Sequence, residues 1–422
     1  MSYFLIHDDC RFIKGARNGA IYDLASGDIY SVNQSGVAIV DKFLSGCSIK
    51  KISKALDIEQ SELYKYLKIL KKLKLGAFSN KFLRTSYLLR KPKFNLDFLW
   101  LELTDACNLK CIHCYARSDH KSGKKDKLNI NDWKRIINES YSTGCRKIQF
   151  IGGEPFLIGN KIFDLIRHAI NVGFNFVEIF TNGTLLDENK IDLLKRWKAN
   201  IAISFYSINR SIHESITTVK GSYDKTLSTI KRLKQRDIPF RIAVVVMKEN
   251  QDSLLKTIEY LKNITNNNNI IIDNIRPVGR GCQIDLFPKR KPVKRDKNHP
   301  YFSSIYKKDF SKRYFANSCW PGEMCVKSDG IITPCIMERE LILGDIKNKS
   351  LVEIINNNNT IFAWGLSKDF INICKDCEFR YACFDCRPKA KGLSGDLFSK
   401  PPDCSYDPYR GVWKKRRLPM RL

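Results

Sequence analysis

Apolar runs of strand length recur through the middle of the chain, near residues 98–103, 147–151, 176–181, 201–206, 240–247 and 270–276. Between most of them the apolar positions fall three and four apart, as in "NDWKRIINESYSTG", "KIFDLIRHAINVG" and "DENKIDLLKRWK". That period lays one apolar stripe along a helix. Strands alternating with helices predict an α/β fold whose parallel sheet curls into a partial (β/α)6 TIM-like barrel over residues 96–285. Ligands of such a barrel are expected at the C-terminal ends of its strands.

The pattern differs on either side. Residues 1–88 open with "RFIKGA", "AIYDL" and "DIYSV", short extended pieces between Gly and Asn turn signals. Helical stretches follow: "SGVAIVDKFLSG", then "SIKKISKAL" behind a serine cap, then "QSELYKYLKILKKLKLGAF", which sets Leu63, Leu67, Leu70 and Leu73 on one face. Strands plus a helical trio predict a winged-helix-like α+β module. Beyond the barrel, "FPKRKPVKRDKNHP" breaks all periodicity, and 286–315 reads as a charged linker. Residues 316–410 are dense in cysteine and poor in apolar period, so bonds to metal are expected to hold them together. A basic tail, 411–422, ends the chain.

Composition narrows the class. At 422 residues with 43% hydrophobic content the chain is long enough for two or three cores. Its longest apolar block, "IAVVVM", is far too short to span a bilayer, so a soluble cytoplasmic protein without membrane contact is expected. Fifteen cysteines in clusters point to metal ligation rather than disulfides. Seventy-three basic against 44 acidic residues, a net charge of +29, favour an acidic partner, either nucleic acid or peptide.

The densest chemistry is "CNLKCIHCYA", where Cys107, Cys111 and Cys114 fall within eight residues. Four thiolates close a structural zinc site or a four-iron cubane, whereas three leave one coordination position for a substrate. His113, wedged between two of the cysteines, is poorly placed as a fourth ligand; buried structural cysteines are the plain alternative. At the end of the second predicted strand, "IGGEP" supplies two glycines for close backbone approach, an acceptor in Glu154 and a stiff turn in Pro155.

The triple cysteine with the histidine just before its last member resembles the radical S-adenosylmethionine (SAM) superfamily. The resemblance implies a 4Fe-4S cluster on Cys107, Cys111 and Cys114, with SAM on the fourth iron. Electron transfer then splits SAM to give a 5'-deoxyadenosyl radical. It also implies that Gly152, Gly153 and Glu154, in the cofactor-binding turn stiffened by Pro155, form the site for the SAM amino group, that Ser204 contacts the ribose, and that Thr181 and Asn182 of "TNGT" line the same rim. Ordinary strand-end capping is the plain reading of the last three. Only Lys220 lies where many relatives place an arginine for the SAM carboxylate, so that partner stays open.

Cys319, Cys325, Cys335, Cys374, Cys377, Cys383, Cys386 and Cys404 make twice four thiolates, enough for two closed sites. Their order resembles the SPASM extension of radical SAM peptide-modifying enzymes, with two residues instead of three between Cys383 and Cys386. The resemblance implies two auxiliary 4Fe-4S clusters. One is held by Cys319, Cys325, Cys335 and Cys386, and the other by Cys374, Cys377, Cys383 and Cys404. Cys10, Cys47, Cys145 and Cys282 stand apart and read as core or surface thiols.

The front module, chiefly "IYDLASGDIYSVNQSGVAIVDKFLSG", resembles the precursor-peptide recognition element of the pyrroloquinoline-quinone chaperone family. That implies leader capture by strand addition, with lysines of "YKYLKILKKLK" attracting an acidic leader. The combined expectation is a radical SAM maturase of a ribosomally made precursor peptide, forming a thioether or other side-chain crosslink and drawing electrons from a flavodoxin or ferredoxin. The alternatives are a formylglycine-forming enzyme resembling the anaerobic sulfatase maturases, and, from another class, a zinc-binding nucleic-acid regulator.

Overall fold

The computed structural model describes residues 2–83, 89–265, 269–289 and 304–413. Four short strands open the chain: β1 (Tyr3–Ile6), β2 (Cys10–Lys14), β3 (Gly19–Asp23) and β4 (Ile29–Val32). Helices α1 (Gln34–Leu44), α2 (Ile49–Leu56) and α3 (Gln60–Lys72) follow, and β5 (Gly76–Ser79) returns to pair antiparallel with β1. Strands β2, β3 and β4 form an antiparallel sheet with β3 in the middle. Side chains of Asn33 and Ser48 accept the backbone N–H groups of Gly36 and Lys51, fixing where α1 and α2 begin. Leu63, Leu67 and Leu70 pack inward. Leu73 does not: the helix stops at Lys72, and Leu73 is exposed where the chain turns toward β5.

The central sheet carries the expected alternation. Its strands are β6 (Phe98–Glu102), β7 (Lys147–Ile151), β8 (Phe176–Thr181), β9 (Asn200–Ser204), β10 (Phe240–Val246) and β11 (Ile270–Asn274), each paired in parallel with the next. Helices α4 (Ile130–Ser142), α5 (Lys161–Val172), α6 (Glu188–Arg196), α7 (Arg210–Thr217), α8 (Ser222–Gln235) and α9 (Leu254–Thr265) connect them. Apolar side chains from the strands and the inner helix faces fill one core, including Leu99, Ile148, Ile179, Ile201 and Val244.

The last described stretch contains α10 (Lys307–Phe315), β12 (Glu323–Val326), β13 (Ile331–Thr333), β14 (Gly344–Asp345), α11 (Leu351–Ile355), α12 (Asn358–Gly365), α13 (Arg387–Ser394), β15 (Tyr406–Asp407) and β16 (Val412–Trp413). Strand β12 pairs in parallel with β6, and β13 and β14 continue the sheet antiparallel, giving nine strands. A weak apolar period in this region does not prevent apolar packing. Trp320, Met324, Ile332, Leu351 and Trp364 are buried in the same cluster as the barrel strands, because pairing β12 to β6 brings both apolar faces together. Part of the stretch read as linker is also structured. Phe310 of α10 is fully buried against Tyr22 and Tyr381, joining the front module to the cysteine-dense region, while 290–303 lie outside the described residues.

Candidate functional site

Strand β6 ends at Glu102, and the chain enters the loop that bears Cys107, Cys111 and Cys114. Asp126 shapes its start by accepting the Thr104 hydroxyl and the Asp105 N–H, and the Cys107 N–H donates to the Asp119 carbonyl at 2.9 Å. A second clamp comes from beyond β11. The Arg280 side chain donates to the carbonyls of Cys111 and Ser118 at 2.8 and 2.7 Å, and its N–H to the Cys114 carbonyl at 2.9 Å. Gly279, at φ +62, is required there, since a Cβ would lie 2.2 Å from the Tyr115 carbonyl oxygen. The last barrel strand thus closes on the loop after the first.

Cys107 and Cys111 both lie within electrostatic reach of Cys114. Burial, then Glu154, pushes Cys107 up to about 12, and burial followed by the charges of Cys114 and Cys107 pushes Cys111 higher still. Thiols so reluctant to ionise gain when an iron takes the proton's place, because the thiolate is the metal ligand. Backbone N–H groups of Leu109 and Ser118 point at the sulfurs of Cys107 and Cys114, each at 3.4 Å, and the Asn182 amide reaches Cys107 at 3.9 Å. Among the described residues no three His, Cys, Asp or Glu side chains converge as a single metal ion requires. Three thiols that stand near each other, with donors aimed at sulfur, fit a multi-iron cluster better than a lone ion.

"GGEP" follows β7 and zips onto the cysteine loop: the N–H of Gly153 donates to the Thr104 carbonyl and that of Glu154 to the Ala106 carbonyl, at 2.7 and 2.8 Å. A Cβ on Gly153 would fall 2.0 Å from the Ala106 carbonyl oxygen, so only glycine permits this approach. Gly152, at φ +133, is constrained likewise by Thr104. The sequence offered the Glu154 carboxylate to the SAM ammonium. Here it is fully buried and committed elsewhere, accepting the Thr181 hydroxyl at 2.7 Å, the Asn182 N–H at 2.9 Å and the Phe156 N–H at 3.2 Å. Burial raises it to about 7 while those donors pull it down. Its side chain ties the end of β7 to the end of β8, while Gly152 and Gly153 remain partly exposed, and buried Pro155 starts a short 3-10 turn.

Asn182 sits at the centre of the rim: its amide also donates to Asn108 at 2.9 Å, and its Oδ1 accepts the Thr184 hydroxyl at 2.6 Å. Ser204 ends β9 partly buried, bonded to the Tyr206 hydroxyl, and Lys220 is exposed. Tyr206 is a residue the sequence reading missed. It reaches the Cys111 thiol, and its ring meets His113 edge-on at 4.9 Å. Asn108 and Arg280 were missed too. Asn108 stands inside the cysteine motif and was legible there, whereas nothing local marks Arg280.

Below Tyr206 lies His213, 1% exposed among Phe205, Tyr206 and Tyr223. Burial lowers it from 6.5 to about 4. The unfolded chain therefore binds a proton between those values that the folded chain refuses, so stability is complete above pH 6.5 and falls as pH drops toward 4. The loss reaches about 3 kcal/mol. Urea midpoints taken from pH 7 to 4 should show that slope in the parent and a shallower one in His213→Gln.

The C-terminal thiols fall into two neighbourhoods. Cys319 senses Cys335 and Cys386, and Cys325 senses Cys335. Cys374 senses Cys383 and Cys404, and Cys377 senses Cys374 and Cys404. Cys10 and Cys145 are buried, Cys47 is partly buried and Cys282 exposed.

The model of the radical SAM superfamily matches residues 101–261, and that of an iron-sulfur cluster-binding domain, SPASM, matches 319–378. The chain is an enzyme of the radical SAM superfamily carrying a SPASM domain, which sets aside the zinc-binding regulator. SAM and iron-sulfur clusters are accordingly its cofactors. It is 26% identical over 338 residues to the AdoMet-dependent heme synthase of Methanosarcina barkeri, covering 73% of this chain and 95% of the relative. It is 28% identical over 322 residues to AlbA, the antilisterial bacteriocin subtilosin biosynthesis protein of Bacillus subtilis, covering 72% and 70%. In fold it is similar to Streptococcus suis SuiB bound to precursor peptide SuiA, at TM-score 0.56 and 14% identity, over 96% of this chain and 99% of that one. No helix among the described residues is long and apolar enough to cross a membrane.

Proposed function

We propose that this enzyme modifies a ribosomally synthesised precursor peptide, closing a thioether or another side-chain crosslink. The observation that carries the reading is a separately cored front module, built around Phe4, Ile21, Val37 and Leu67, fastened to the SPASM region of a radical SAM body. Likeness to the SuiB complex extends over that module as well. Winged-helix-like in its strands and helices, the module leaves β4 paired on one side only among the described residues, an edge to which a leader can add a strand.

Cys107, Cys111 and Cys114 hold the cluster that binds SAM, and the backbone of Gly152 and Gly153 receives the amino group, with Glu154 and Pro155 setting the turn. Thr181, Asn182 and Ser204 form the rim beside it, and Tyr206 and Arg280 keep the loop in place. When bound, the cofactor supplies a hydrogen-abstracting radical. The chain's own part is to position the peptide carbon, exclude water and hold the loop still. Two further 4Fe-4S clusters are held by Cys319, Cys325, Cys335 and Cys386, and by Cys374, Cys377, Cys383 and Cys404, and a flavodoxin or ferredoxin delivers electrons.

Anaerobic co-expression with a short cysteine-containing precursor from the same gene neighbourhood, read by mass spectrometry, tests the reading. A peptide lighter by a pair of hydrogens per crosslink is expected, and a leaderless version should stay unmodified. Unaltered peptide from enzyme that still cleaves SAM would reject the maturase assignment.

A further inference from the structure

Between the two auxiliary thiol groups runs the segment Cys383 to Cys386, whose end residues face different neighbourhoods: Cys383 senses Cys404, and Cys386 is sensed by Cys319 and Cys335. Asp385, 3% exposed, lies between them. Its Oδ1 accepts Arg387 Nη2 at 2.6 Å, and its Oδ2 stands 3.2 Å from Lys368 Nζ, an ionic contact without hydrogen-bond alignment. Arg387 is fully buried and also donates to the carbonyls of Leu397 and Ser399, both at 2.8 Å.

Lys368 is the unusual member. Only 6% exposed, its ammonium has no hydrogen-bond partner, and it lies within electrostatic reach of Cys374 and Cys383. The Asp385 carboxylate at 3.2 Å favours its charged form. Two buried cations, Lys368 and Arg387, share the Asp385 carboxylate beside Cys374 and Cys383, while the Glu378 carboxyl lies on the Cys377 side. The first group has cations of its own, Arg276, which is paired with Asp273 at 2.6 Å and bonds Cys386, and Arg339 near Cys325, while the Glu323 carboxyl approaches Cys319 Sγ at 4.0 Å. A buried ammonium with unused donors is costly unless a negative group faces it, and an iron-sulfur cluster on four thiolates is such a group.

We propose that Lys368 is a redox-positioning residue, the buried cation that raises the reduction potential of the second auxiliary cluster. The proposal rests on the reading that Cys374, Cys377, Cys383 and Cys404 bind a cluster. Reduction adds negative charge, so a fixed cation at short range in a poorly screened interior favours the reduced form.

Redox titration of the reconstituted full-length enzyme, followed by electron paramagnetic resonance, tests this without any turnover. In K368M the signal of one auxiliary cluster should move to lower potential, its reduced-to-oxidised ratio at fixed potential falling about tenfold, or about 59 mV for one electron. K368R, which keeps the charge, should stay near the parent, and D385N, which removes the anion, should move the same signal upward. An unmoved signal in K368M, or a shift of the same sign in K368M and D385N, overturns the proposal. If K368M loses iron, D385N decides alone, and a potential that stays or falls overturns it. Iron counts of the parent separate the two levels: about four irons per chain in place of about twelve would remove the auxiliary clusters themselves.

Discussion

Replacing Cys107, Cys111 and Cys114 together by alanine is expected to bring release of 5'-deoxyadenosine down to the level of a blank, while about eight of about twelve irons remain. The loop that bears these thiols is held by groups other than the thiols: Asp126 at its start, the Asp119 carbonyl, and the Arg280 side chain with its two carbonyl partners. Losing three sulfurs should therefore leave the fold and the SPASM region in place, so the defect is chemical and not structural. Anaerobic incubation with SAM and dithionite, with chromatography of the nucleoside, reads the first quantity, and iron analysis reads the second. Nucleoside release equal to that of the parent would refute the assignment of these cysteines. Loss of all iron would show instead that the two halves do not fold independently of the site.

Replacing Arg339 by methionine is expected to cost about 3–5 kcal/mol of stability. Glu102, at the end of β6, is fully buried, and both its oxygens lie 2.6 Å from one guanidinium nitrogen of Arg339, which comes from the cysteine-dense region. The same guanidinium lies 5.7 Å above the Tyr115 ring, one residue beyond Cys114. Without Arg339 an uncompensated carboxylate remains in the interior beside Asp105, which burial and then Glu102 already raise to about 6. Glu102→Gln in the same chain should recover most of the loss, since the unpaired charge is the larger part of the penalty. Urea unfolding of the anaerobically purified enzyme measures both. A single-variant loss below about 1 kcal/mol would place the pair among surface ion pairs, which contribute little.

Much of the barrel was legible because its strands and helices repeat local periods: apolar runs mark strands, and three-and-four spacing marks helices. The predicted strand at 270–276 is shorter, ending at Asn274, because the chain there turns to present Gly279 and Arg280 to the cysteine loop. Leu73 shows the opposite failure, where a correct helical period ran one residue past the point at which the chain needed to turn into β5. The apolar core of the cysteine-dense region was invisible for a different reason. Its strands are two to four residues long, too short for a period, and β12 and β13 acquire an apolar face only by joining β6.

The site divides in the same way. By itself the sequence determined the thiols of one loop, the glycines that must carry no Cβ and the count of eight further cysteines, because each is a matter of residue type at short spacing. Only the tertiary structure decided that the Glu154 carboxylate serves Thr181 and Asn182, that Tyr206 and Arg280 reach the cysteine loop, and that Lys368 lies buried beside Cys374 and Cys383. Most of those neighbours lie well apart in the chain, Arg280 by 169 residues from Cys111, and what joins them is the summed burial of the sheet and its helices. No local pattern encodes that sum.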